Sequence, residues 1–112
     1  MNFRLTEDQL QLQETVRNFV SREFRKEAIH TLLERHEYLV DMWQRAAARA
    51  LIGIHFPKEY GGRGLGLFEN VLVCEELCRG DSSMGVCLSL ADFASDILLL
   101  FGTDQQKSRW LP

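Results

Sequence analysis

The sequence is poor in anything that stops a helix. Its first 56 residues contain no proline and one glycine, Gly53, and the whole chain has only two prolines, Pro57 and Pro112. Long helical runs are therefore expected before residue 56. It also lacks an uncharged apolar run of membrane-spanning length, because Asp92 and Asp96 interrupt the longest candidate. The opening residues MNFRLTEDQ have neither the apolar core of a signal peptide nor the Arg- and Ser-rich character of a transit sequence. No charge excess points to nucleic acid or to an anionic membrane, since the formal net charge is −3. The three cysteines, Cys74, Cys78 and Cys87, are an odd set without framework spacing, which suggests a reducing compartment and a cytoplasmic protein. Cys74 and Cys78 share a helix face, but His30, His36 and His55 are scattered and offer no second pair of ligands, so no metal site is expected.

What the chain does have is one glycine-dense turn with helical sequence on both sides. Four of its eight glycines, Gly61, Gly62, Gly64 and Gly66, lie within FPKEYGGRGLG, residues 56–66. The run lacks the Lys-Ser/Thr ending of a P-loop, and no second strand is available for a dinucleotide fold. It reads as a tight connector in which glycine permits positive φ and close backbone contact, with residues 54–56 extended ahead of Pro57.

At 112 residues the chain is a single domain, residues 1–112, and its pattern is all-α with about five helices. Thr6 and Gln9 form a capping box for the first helix, with Leu5 stapling onto Leu10; Leu12, Val16, Phe19, Val20 and Phe24 then recur at helical spacing. A break is expected within residues 30–38. A second helix covers residues 41–51, with Gly53 in the left-handed position after its end. The third covers residues 68–78, with Phe68, Val71, Leu72, Leu77 and Cys78 as its apolar set. Its adjacent Glu75 and Glu76 cannot share a face as an acid/base pair. Asp81, Ser82 and Ser83 can cap a fourth helix over residues 84–101, and Thr103 and Gln106 repeat the capping box for a fifth.

The fourth helix is apolar almost all round, so it is expected to be central and the most buried. Gly85, Ser89, Asp92 and Asp96 form a small or polar strip along it. That strip either leaves a groove or is filled by another helix with the aspartates at its wet end.

With these residues in place, the chain resembles the amino-terminal helical domain of the acyl-CoA dehydrogenases. The resemblance rests on Leu5-Thr6-Glu7-Asp8-Gln9, on Phe56-Pro57-Lys58-Glu59-Tyr60-Gly61-Gly62 with Gly64-Leu65-Gly66, on Glu75-Glu76-Leu77, and on residues 99–107, LLFGTDQQK. These pieces follow the family's order and spacing over nearly the whole chain. Departures fall at Glu27 and Leu39, where relatives often have proline, and at Ala50, where glycine is frequent; they bear on the path from the first helix to the second.

The resemblance implies a flavoenzyme that dehydrogenates an acyl-CoA thioester between its α and β carbons. It implies FAD as cofactor, gripped mainly by a β-domain and a carboxy-terminal helical bundle absent from this chain, and assembly into a homo-oligomer. It assigns the catalytic base to those absent parts as well, so no catalytic or cofactor-binding residue is carried over, and the chain alone is expected to be inactive and colourless. It does imply a substrate wall: the matching positions lining the acyl cavity are Val86, Ser89, Leu90 and Phe93. Acyl-CoA oxidases, nitroalkane oxidases and flavin monooxygenases share this domain. A free-standing helical binding module is the alternative from another class.

Overall fold

The computed structural model describes residues 3–112, which form seven α-helices and two single-turn 3-10 helices. The fold class is all-α as expected, but several expected helices are subdivided. α1 spans Glu7–Glu23 and begins with the capping box of Thr6 and Gln9. It stops where Phe24 leaves helical geometry (φ −86°, ψ 55°) and packs edge-on against Phe19, 6.4 Å between ring centres. α2, Lys26–Arg35, is therefore a separate helix, and His36 ends it in the left-handed region at φ 52°. The break expected at residues 30–38 is present, and the one at Phe24–Arg25 precedes it.

α3, Val40–Ala48, closes with two bonds: Ala50 N–H to Ala47 O at 2.8 Å, and Leu51 N–H to Ala46 O at 3.1 Å. This pairing is a Schellman motif, and it puts Ala50 at φ 48° in the position where glycine is usual. The role assigned from sequence to Gly53 is thus filled by Ala50. Gly53, at φ 62°, instead opens a turn in which Phe56 N–H bonds Gly53 O at 2.9 Å. Residues 54–56 are consequently a turn, not an extended segment.

The glycine connector folds back onto that turn. Arg63 N–H and Leu65 N–H both bond Ile54 O at 3.2 Å, and Gly64 N–H bonds Phe56 O at 2.8 Å. Gly62 is the contact point, since a Cβ there would lie 2.2 Å from Phe56 O. A 3-10 turn at Lys58–Tyr60 completes the connector.

α4, Leu67–Gly80, lies against α1. Leu12, Val16 and Phe19 from α1 meet Leu72, Val73 and Leu77 from α4, with Met42, Ala46, Leu51 and Ile54 joining the same core. Leu72 and Leu77 are buried as expected, whereas Phe68 and Val71 are exposed. The predicted fourth helix is three elements: α5, Ser82–Ser89; a 3-10 turn at Leu90–Asp92; and α6, Ser95–Phe101. α5 buries Met84, Gly85 and Leu88, but α6 buries nothing fully. The expectation of a central, most buried helix is therefore wrong for this segment. An apolar composition shows that a surface can be buried, and burial itself needs a partner element. α7, Asp104–Trp110, starts with the second capping box, Thr103 and Gln106.

Candidate functional site

Asp81 caps α5 by accepting from Met84 N–H at 2.9 Å, and α5 then crosses α4 at very short range. A Cβ at Gly85 would sit 2.5 Å from both Cα and N of Cys78, so α4 fills the glycine side of the small-residue strip. Farther along, Asp92 accepts from Gly53 N–H at 2.9 Å, and Asp96 Oδ1 lies 2.7 Å from His55 Nε2. The Gly85–Ser89–Asp92–Asp96 strip is thus occupied by the chain's own backbone and turn. It is not an open groove.

The four candidate wall residues divide accordingly. Val86, Leu90 and Phe93 lie on the outward side, 47%, 55% and 77% exposed, and Ile97 on α6 is 66% exposed. Ser89 is only partly exposed, and its Oγ is buried without a hydrogen-bond partner. Three of the four are thus exposed apolar side chains, and Ser89 belongs with the inward strip. The concave surfaces are open clefts: one of about 670 Å³ between α2 and α3 is lined by Leu32, Arg35, Tyr38 and Met42 among others, one of about 370 Å³ adjoins Ile97 and Phe101, and one of about 290 Å³ faces the glycine turn.

The pair Arg17 and Glu76 escaped the sequence reading. Glu76, on the buried face of α4, receives Arg17 Nε at 2.8 Å on Oε2 and Arg17 Nη2 at 2.7 Å on Oε1. The Arg17 hydrogen bond, reinforced by its charge, holds the Glu76 carboxyl below the usual carboxylate range against the opposing effect of burial. The signal available in the sequence was a glutamate four residues after Leu72 and three after Val73, which sets it on their face of the helix. Glu75 points outward to Arg79 at 3.2 Å, so the two glutamates do not converge. Glu69 joins α1 to α4: it accepts from Gln9 at 2.8 Å and from Gly66 N–H at 3.0 Å, and the Gln9 bond lowers its carboxyl pKa. The three thiols are free and half-buried, and burial pushes Cys78 upward. Among the described residues, no three His, Cys, Asp or Glu side chains converge to hold a metal.

The glycine turn does not fit the pyrophosphate of a dinucleotide. A phosphate cradle needs free amides, but those of Gly61, Gly62, Arg63, Gly64 and Leu65 all donate to carbonyls of residues 54–58, and Gly66 N–H donates to Glu69. The segment Ser82–Phe101 is long and apolar enough to cross a membrane by length and composition alone, yet it is broken at Leu90–Asp92.

Comparison with known proteins gives this geometry its family. Residues 6–112 match the family described as acyl-CoA dehydrogenase, N-terminal domain, and the chain belongs to that family. Acyl-CoA dehydrogenase FadE12 of Mycobacterium tuberculosis is 37% identical over 78 residues, which is 70% of this chain and 20% of the relative. Mitochondrial isovaleryl-CoA dehydrogenase of Bos taurus is 32% identical over 111 residues, 96% of this chain and 26% of that protein. A solved structure reported with the electron transferring flavoprotein of Acidaminococcus fermentans superposes with a TM-score of 0.84 at 29% identity, covering 99% of this chain and 29% of that one. The chain thus spans between a fifth and three tenths of the length of these relatives.

Proposed function

We propose that this chain is the amino-terminal helical part of an FAD-dependent acyl-CoA dehydrogenase, and that Val86, Leu90 and Phe93 form a wall of its acyl cavity. The observation that carries the reading is the outward apolar line of Val86, Leu90, Phe93 and Ile97 on a chain of this family. Such a line suits an alkyl chain, because each methylene withdrawn from water gains about 0.8 kcal/mol. The wall excludes water and sets available length; it takes no proton and forms no bond. The flavin and the catalytic base belong, on this proposal, to parts of the enzyme beyond these residues, and so does the surface that closes the cavity and supports oligomerisation. A reducing, cytoplasmic setting suits the three free thiols.

Ser89 is a poor probe of the wall, because its buried Oγ means that added bulk there disturbs packing first. Leu90→Trp and Val86→Trp are better probes. In the full-length enzyme carrying this chain, kcat/KM is measured with short, medium and long acyl-CoAs, alongside thermal stability. A selective loss for the longer substrates with an unchanged melting temperature is expected. Unchanged chain-length preference in both variants overturns the wall, and absence of dehydrogenation with every acyl-CoA in the unaltered enzyme overturns the proposed reaction.

A further inference from the structure

His55 is a buried titratable group for which the acyl-wall reading has no use. Its side chain is 8% exposed, and Nε2 lies 2.7 Å from Oδ1 of Asp96, whose own side chain is 51% exposed. Nδ1 is buried and has no partner, with the Phe56 ring edge-on at 4.8 Å between centres. A neutral imidazole has one N–H and one lone pair. With its proton on Nε2, the ring donates to the carboxylate and leaves only a weakly demanding lone pair in the apolar pocket. With the proton on Nδ1, a buried donor is orphaned and a lone pair faces an anion.

The segment to which Asp96 belongs has little else to hold it. No residue of α6 is fully buried, and Ile97, Leu100 and Phe101 are exposed. The turn carrying His55, by contrast, is anchored by Ile54, at 0% exposure, and by the connector bonds onto Ile54 O and Phe56 O. Gly53 N–H to Asp92 ties the same two segments one turn earlier.

We propose that His55, as its Nε2–H tautomer, is a positioning latch that fixes α6 against the Gly53 turn and thereby sets where Phe93 and Ile97 stand. The relevance to substrate length rests on the acyl-wall reading, but the latch does not, and its test contains no acyl substrate. The two can therefore fail separately.

The chain is labelled with ¹⁵N-histidine and examined at about pH 8, above the ordinary imidazole range. His55 is expected to show a protonated Nε2 and an unprotonated Nδ1; the opposite tautomer, or an average of the two, overturns the proposal. Amide exchange is then compared between variants. Asp96→Ala is expected to speed exchange in residues 95–101 on the order of tenfold and to leave α1 and α4 unchanged. Asp96→Asn restores protection, because its amide oxygen accepts the same N–H. His55→Gln, whose amide nitrogen reaches the Nε2 position, retains protection better than His55→Asn. Unaltered exchange in Asp96→Ala, acceleration that extends equally to α1 and α4, or failure of Asp96→Asn to rescue each overturns the latch.

Discussion

Residues 72–88 and residues 90–101 both carry leucines and small side chains, the second being the more apolar of the two, yet they meet opposite fates. The first stretch gives Leu72, Val73, Leu77, Met84 and Leu88 to the core, and the second has no residue fully buried. In the first, α4 has α1 across from it and α5 packs on α4 through Gly85. In the second, the chain is joined to the rest through two aspartates, Asp92 to Gly53 and Asp96 to His55. Apolar area stabilises only when another apolar surface covers it, so the same residue type is structural in one place and available in the other. Under the proposed function, that availability is the point of the second stretch.

The sharpest break of this comparison is a pair of truncations. Leu88→Ala removes a side chain at 0% exposure and should destabilise by about 2–5 kcal/mol, whereas Phe93→Ala, at 77% exposure, should stay within about 0.5 kcal/mol. Urea unfolding of both variants measures the contrast. Similar losses for the two would mean that residues 90–101 are part of the same cooperative core.

A smaller effect is expected from Gly85→Ala. The added methyl would meet the Cys78 backbone at 2.5 Å, and backbone cannot yield as a flexible side chain does. A loss of about 1–3 kcal/mol is expected from overpacking. A neutral outcome in the same urea titration would show that α5 can move off α4 freely.

The smallest effect concerns acid. The Glu76 carboxyl is lowered in the folded chain, so its stabilisation is complete above its unfolded value of about 4.3 and disappears as pH falls through the folded value. Glu76→Gln should melt several degrees below the unaltered chain at neutral pH, and the two should converge on acidification as the carboxylate advantage is lost. Parallel melting curves from neutral to acid pH would show that the ion pair with Arg17 contributes nothing that depends on pH.

Local signals were the legible part of the sequence. Both capping boxes formed, at Thr6 and Gln9 and at Thr103 and Gln106, because each needs only four consecutive residues. The α1 stripe of Leu12, Val16 and Phe19 was legible because helical spacing puts these residues on one side whatever they face. The breaks at Phe24 and Leu90 were not, since neither has glycine or proline at the site; each follows from where a side chain finds its partner, Phe24 against Phe19 and Asp92 beneath Gly53. For the candidate wall, the residues could be chosen from the family resemblance, and spacing set Ser89 in the strip with Gly85, Asp92 and Asp96, but it did not reveal that this strip is filled while Val86, Leu90 and Phe93 turn outward.

The sequence by itself determined that the chain is helical, where its capped helices start and which family it belongs to, because these depend on neighbours a few residues apart or on motif order. Only the tertiary structure decided that Arg17 reaches Glu76 and that His55 meets Asp96. Those pairs are separated by 59 and 41 residues respectively. Contacts across such intervals depend on how helices cross, and the crossing is set by the summed packing of many side chains, which no local window contains.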